Sequence, residues 1–152
     1  MIKYFLLICV LILSLNGKDT LVPISDPKKI PTSAIELWKN YDPHAEPLEV
    51  KIIKEWKTNE VTTRYITYHV GRFKGSASRV AAYYSFPDKP GKHPAFVWSH
   101  GGGQRAERGR SQYFAQQGFA CIDINWLGRP MEDDIEENTD WGKVDPTQGP
   151  RF

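Results

Sequence analysis

Two short apolar runs, AFVWSH at 95–100 and FACIDIN at 119–125, limit what this chain can fold into. Each has the length of a buried strand, three glycines follow the first, and Gly118 precedes the second. Between them RAERGRSQYFAQQ reads as a helix that ends at Gly118 in the C-cap position. Strand, helix and strand in that order give a parallel pair joined by a right-handed crossover. The fold class is therefore α/β. The glycines fall at the carboxyl end of the first strand, where open α/β sheets hold their ligands.

Three adjacent glycines are costly to order and contribute no side-chain packing, so the bare backbone itself is what the loop needs. Two chemistries use such a backbone. In the first, Gly101, Gly103 and Ala106 fit G-x-G-x-x-A, and Asp123 lies about 20 residues on, where an acid meets a ribose; this reads as an NAD-type oxidoreductase. A long antiparallel segment precedes the supposed first strand, however, and His100 has no part in such a site. In the second, two backbone N–H groups stabilise the oxyanion of acyl transfer. An H-G-G-G stretch after the third strand of an α/β-hydrolase sheet supplies one side of that hole.

The segments upstream suit the second chemistry. In RYITYHV the residues Ile66, Tyr68 and Val70 share a face, and in SRVAAYYSF so do Val80, Ala82, Tyr84 and Phe86, with a glycine-containing turn between. That is an antiparallel hairpin, approached by an earlier strand in LEVKIIKEW. Residues 18–47 are proline-rich and read as an arm wrapping the domain, with one short helix capped by Ser33 and Glu36 and with Trp38 as its anchor. Residues 1–17 have the order of a secretory signal peptide, Lys3 preceding an apolar run at 4–13 that is short for a membrane span. The expected location is secreted or periplasmic, with no stable membrane anchor once the leader is cleaved.

WSHGGGQRA, with GRFKGSASRVAAYYSFP before it and ACIDINWLGRPM and NTDWGKVDPTQ after it, resembles the amino-terminal part of secreted α/β-hydrolases of the acetyl xylan esterase and dienelactone hydrolase kind. The resemblance runs over residues 37–148. It implies the amino-terminal half of an α/β-hydrolase sheet, an antiparallel hairpin followed by a parallel βαβ unit, with residues 48–152 as a partial domain. It implies a serine esterase acting without a cofactor on a small-molecule or polysaccharide ester. Gly102 and Gly103 become the N–H donors, His100 the residue that fixes the loop with Gly101, and Gln104 a further donor. Trp126 and Arg129, just after the second strand, are placed to line the substrate pocket.

The chain departs from that family in one respect. No G-x-S-x-G occurs in its 152 residues. The nearest match, GRSQY around Ser111, lies in the expected helix, so Ser111 is read as a surface residue. His44, His69 and His93 lie upstream of any nucleophile, against the order of the fold's triad. The expectation is an incomplete hydrolase that carries the oxyanion loop without the nucleophile, inactive as it stands.

Other classes find less support. A net charge of +2 and the absence of a basic stripe exclude nucleic acid as a partner. A calcium loop from Asp123 fails because Leu127 and Pro130 occupy ligand positions, and no metal site is assigned. Cys121 has apolar neighbours and reads as a buried thiol. Arg105, Arg108 and Arg110 read as a solvated helix face, and the acidic tail beyond Trp126 as a solvated loop. A non-catalytic extracellular carbohydrate-binding module, using exposed aromatics, is the third reading.

Overall fold

The computed structural model describes residues 25–58 and 60–143. The expected leader at 1–17, the first residues of the expected arm and the end of the tail lie outside them. Among the described residues no helix is long and apolar enough to cross a membrane.

The fold is mixed α/β around one five-stranded sheet. The strands are β1 (Lys51–Lys57), β2 (Val61–Phe73), β3 (Ser76–Pro87), β4 (Ala95–Ser99) and β5 (Ala120–Ile124). Their order across the sheet is β1-β2-β3-β5-β4. β1, β2, β3 and β5 pair antiparallel in sequence across the sheet, and β5 pairs parallel with β4. The helices are α1 (Ala34–Trp38) in the arm and α2 (Arg108–Gln116) between the two parallel strands.

Local chemistry accounts for these elements. β2 and β3 are rich in Thr, Val, Ile and Tyr, which suit a pleated surface. They are joined at Lys74 and Gly75, both at positive φ (51° and 72°), as a two-residue hairpin turn demands. α2 stops at Gly118, whose φ of 93° lets the Phe119 N–H reach back to the Phe114 carbonyl. Ser111 and Ala115, one turn apart, are its buried residues, and their small size lets the helix lie close on the sheet.

The core sits on the sheet face under α2. Tyr65 and Tyr83 are cross-strand partners there, edge to face at 5.6 Å, packed with Ala81, Ala106 and Met131. The opposite face is also buried at Ile66, Val80 and Ala82. A bulge between His69 and Gly71 breaks the alternation read from sequence, leaving Val70 exposed.

Two sequence expectations are corrected here. The tail is no solvated loop: Leu127 and Met131 are buried, Tyr65 donates to the Glu137 carbonyl at 2.6 Å, and Tyr83 donates to Glu132 Oε1 at 2.5 Å. Sheet tyrosines needed acceptors, and the tail brings them. Trp38 is no anchor either, being 56% exposed and, among the described residues, packed on the Tyr41 ring alone. The Ser33 cap of α1 does form, with the Glu36 N–H donating to Ser33 Oγ at 3.1 Å.

Candidate functional site

β4 and β5 run parallel, so both deliver their following loops to one edge of the sheet. After β4 the chain turns at His100, which is buried. Its Nδ1–H donates to the Gly101 carbonyl at 2.9 Å. The Gly101 N–H in turn donates to Gln104 Oε1 at 3.0 Å, and the Gln104 N–H reaches back to the Gly101 carbonyl at 3.3 Å. This closes a small loop whose tip is Gly102 and Gly103. Both tip residues are exposed, and their N–H groups have no partner among the described residues. Gln104 thus braces the loop through its carbonyl oxygen.

The three glycines differ in what holds them as glycine. Gly103 has a φ of 76°, a conformation that L side chains rarely adopt. Gly102 has no such restriction, and a Cβ there would meet nothing within 4 Å. At Gly101 a Cβ would make only ordinary contact, 3.6 Å from Gln104 Oε1. Backbone conformation therefore explains Gly103, and packing within the chain explains none of the three.

The loop after β5 holds the glycine loop from behind. Trp126 Nε1 donates to the His100 carbonyl at 2.9 Å, and the indole stacks on the imidazole at 5.3 Å and 12°. Asn125, which sequence reading passed over, is the junction. It is fully buried; its Oδ1 accepts from the Ala106 N–H, and its Nδ2 donates to the Arg129 carbonyl and to Asn138 Oδ1. An asparagine closing an apolar strand is the signal that marked it, since a buried amide must find partners in the loops it joins.

Between the loops lies a cavity of about 700 Å³. Gly103, Gln104, Arg105 and Glu107 form one side, and Gly128, Arg129 and Pro130 the other, with Arg110 at the base of α2. Arg129 is among its lining residues. Trp126 does not; it stands behind the loop as a support.

Asp123 is fully buried beneath this wall. Burial pushes its carboxyl above the usual range, opposed by the Glu107 N–H, which donates to Oδ2 at 3.2 Å, and by Arg110 at 3.5 Å. A carboxylate so enclosed is not presented to a ribose, and α2 begins at Arg108, beyond Ala106, rather than opening from the glycines. Arg105 is exposed as expected of a solvated face, while Arg108 and Arg110 are half-buried, and all three are engaged. Arg105 donates to the Pro130 carbonyl at 2.8 Å, Arg108 lies 4.4 Å over the Trp56 ring, and Arg110 pairs with Glu107 at 3.0 Å.

Ser111 is likewise corrected: it is fully buried, 2.8 Å from Ser85 Oγ, which lies 2.9 Å from Thr63 Oγ1. It also donates to the Arg108 carbonyl. The hydroxyl faces the sheet because the helix presents two small residues, Ser111 and Ala115, there. Cys121 is fully buried, and its thiol is pushed up to about 11, chiefly by burial and further by Asp123. Among the described residues no group of three metal-ligating side chains occurs.

No protein-family model matches the chain, and no curated protein matches it. Among solved structures it is similar to acetyl xylan esterase 1 from Thermoanaerobacterium sp. JW/SL YS485, at 18% identity over 60% of this chain and 27% of that one, with a TM-score of 0.47. It is also similar to the acetyl xylan esterase from Paenibacillus sp. R4, at 17% identity over 55% of this chain and 27% of that one, with a TM-score of 0.44. The chain spans about a quarter of the length of each.

Proposed function

We propose that residues 48–152 form part of a carboxylic-ester hydrolase domain, exported by the leader at 1–17, in which the N–H groups of Gly102 and Gly103 hold the oxyanion of the tetrahedral intermediate. The observation that carries this reading is the pair of unpartnered, exposed amides at the tip of a loop that is braced on every other side. Preorganised donors of this kind stabilise charge as it develops, without reorganisation during the reaction. The open space at Gly102 supports the same reading, because a residue that packing leaves free to carry a side chain is glycine where something outside the chain must approach.

In this mechanism a serine attacks the ester carbonyl, a histidine takes its proton and returns it to the leaving alcohol, and the carbonyl oxygen gathers negative charge against Gly102 and Gly103. His100 and Gln104 position the loop. No G-x-S-x-G occurs in these 152 residues, so the reading assigns neither the serine nor its histidine to a residue named here. The substrate is an ester of the kind that acetyl xylan esterases, which the sequence resembles, deacetylate.

A nuclear magnetic resonance titration with a phosphonate monoester, a stable anionic mimic of the tetrahedral intermediate, tests the reading. The expected result is saturable shifts of the Gly102 and Gly103 amides. Shifts elsewhere only, or shifts of these amides on adding NAD and none with the phosphonate, would overturn it. Reading the coding DNA beyond Phe152 gives a second test, with G-x-S-x-G between a strand and a helix as the expected finding.

A further inference from the structure

The arm closes a second cavity on the sheet, apart from the glycine loop. It measures about 240 Å³ and lies between arm residues 41–48 and the β2 bulge at His69 and Gly71. Tyr41, Pro43 and Pro47 give it apolar walls, and its polar members are Asp42, Glu46 and His69. The side chain of His69 is 2% exposed, yet neither ring nitrogen has a hydrogen-bond partner among the described residues. Glu46 Oε2 stands 3.1 Å from Nε2 without the alignment of a hydrogen bond, and it too has no hydrogen-bond partner. Leaving buried donors and acceptors unmade is costly, and a polar guest that bonds to both groups would recover that cost.

We propose that this cavity binds a neutral sugar ring. Charge and hydrogen-bonding capacity select that class. An anion would meet the carboxylates of Asp42 and Glu46, and a cation would compete with the Arg72 guanidinium, which already lies 3.5 Å from Glu46 Oε2. A hydroxyl does neither: it donates to the carboxylate and, through the same atom, accepts from an imidazole N–H. The C–H face of a sugar ring suits the Tyr41 ring, which is 45% exposed. The volume falls just below the range of about 300–1,000 Å³ for drug-sized ligands, so one small ring fills it. Residues 41–48 belong to no helix or strand, so a ligand enters by displacing loop and leaves the sheet intact. β2 is three strands from β4, roughly 14 Å or more at the spacing of a sheet, so one ring cannot touch both this cavity and the glycine loop. The cavity is thus a second site, and it does not rest on the ester-hydrolase reading.

Methyl β-xylopyranoside and 2-methoxytetrahydropyran share the ring and the methyl acetal, differ in the ring hydroxyls, and are the probes. Titrated separately into the full chain and followed by amide shifts, the xyloside is expected to bind in the millimolar range and to shift Glu46, Val70 and Gly71. The hydroxyl-free ring should bind about tenfold more weakly or not at all. The ring resonances of His69 should move with the same midpoint, which a role in packing alone would not produce. Tyr41→Ala, in the exposed arm, should weaken the xyloside about threefold. His69→Phe keeps a ring and removes both nitrogens, and should abolish binding. Where His69→Phe loses its near-ultraviolet dichroism, Tyr41→Ala and the His69 ring shifts give the same reading.

Equal binding of the two rings, binding of the xyloside that leaves His69 and Gly71 unmoved, or no binding of either overturns the proposal. The phosphonate shifts at Gly102 and Gly103 report separately on the ester-hydrolase reading. If they persist while the xyloside fails to bind here, only the sugar-site proposal has failed; if both are absent, both have.

Discussion

Trp126 and His100 form a two-point joint: the indole N–H donates to the His100 carbonyl at 2.9 Å while the two rings stack at 5.3 Å. The joint ties the loop after β5 to the loop after β4, so the glycine tip is only as fixed as Trp126 is. Trp126→Phe keeps an aromatic ring and removes the donor. Loss of one neutral hydrogen bond predicts phosphonate binding weaker by about threefold to tenfold with the fold intact. Titration of the variant checks this; unchanged affinity would show that the His100 carbonyl needs no partner.

Gly102 and Gly103 separate binding from stability. At Gly102 a methyl group meets open space, so Gly102→Ala should leave stability unchanged or raise it by about 0.4–1 kcal/mol while abolishing close approach of the phosphonate. Gly103, at a φ of 76°, should lose about 1–2 kcal/mol as alanine. Urea unfolding of the two variants distinguishes these outcomes. Equal destabilisation would remove the argument that Gly102 is bare for a ligand.

The hydroxyl chain from Thr63 through Ser85 to Ser111 joins β2, β3 and α2. Ser85 is its middle member, so Ser85→Ala strips a partner from both neighbours. A cost of about 2 kcal/mol is expected there, against about 1 kcal/mol for Ser111→Ala, whose loss leaves Ser85 still paired with Thr63. The double variant should cost less than the sum, because the two residues share one bond. A strictly additive result in denaturant melts would mean that the bond contributes nothing.

Alkaline pH should weaken the fold in two stages. Burial pushes the Cys121 thiol up to about 11 and, with Glu132 and Glu137 nearby, the Tyr65 phenol up to about 12. Above their ordinary values the unfolded chain releases these protons while the folded chain keeps them, so the folded form binds more protons and stability falls as pH rises. The fall begins near pH 9 with the thiol and continues near pH 10 with the phenol. Cys121→Ala should abolish the first stage only, as read from urea midpoints against pH. Persistence of the first stage in that variant would assign it to another group.

β4 has a partner on one side only, among the described residues, and its apolar side chains Phe96, Val97 and Trp98 are exposed, Val97 at 74%. Such an edge invites pairing with another strand, and a charge on it blocks that. Val97→Lys should reduce concentration-dependent association in sedimentation experiments and leave the melting temperature unchanged. Association equal to that of the parent chain would place the contact elsewhere.

Much of the class of fold was legible because it rests on local rules. The apolar lengths of 95–99 and 120–124, Gly118 after a helix, and alternating β-branched and aromatic residues each dictate their own segment. Ser111 and the tail were misread for a common reason. A serine in a polar helix and an acidic run both look solvent-facing until one knows that α2 lies close on the sheet and that Tyr65 and Tyr83 present hydroxyls needing acceptors. The bulge after His69 left no mark in the period-two pattern, and Val70 was assigned to the wrong environment accordingly. At the site, the glycines announced themselves by cost, whereas Asn125 required knowing which loops converge on it.

The spatial order β1-β2-β3-β5-β4 has a consequence for how the protein comes to exist. The first three strands are neighbours in both sequence and space, so they can pair as they leave the ribosome. β4 cannot join them, because its place in the sheet is next to β5, which is made some 20 residues later. Until the chain has been synthesised past Trp126, the glycine loop has neither a sheet nor a stacking partner to hold it. Site assembly is thus the closing event of folding for these residues, and a nascent chain halted before β5 would carry the sequence of the loop without its shape.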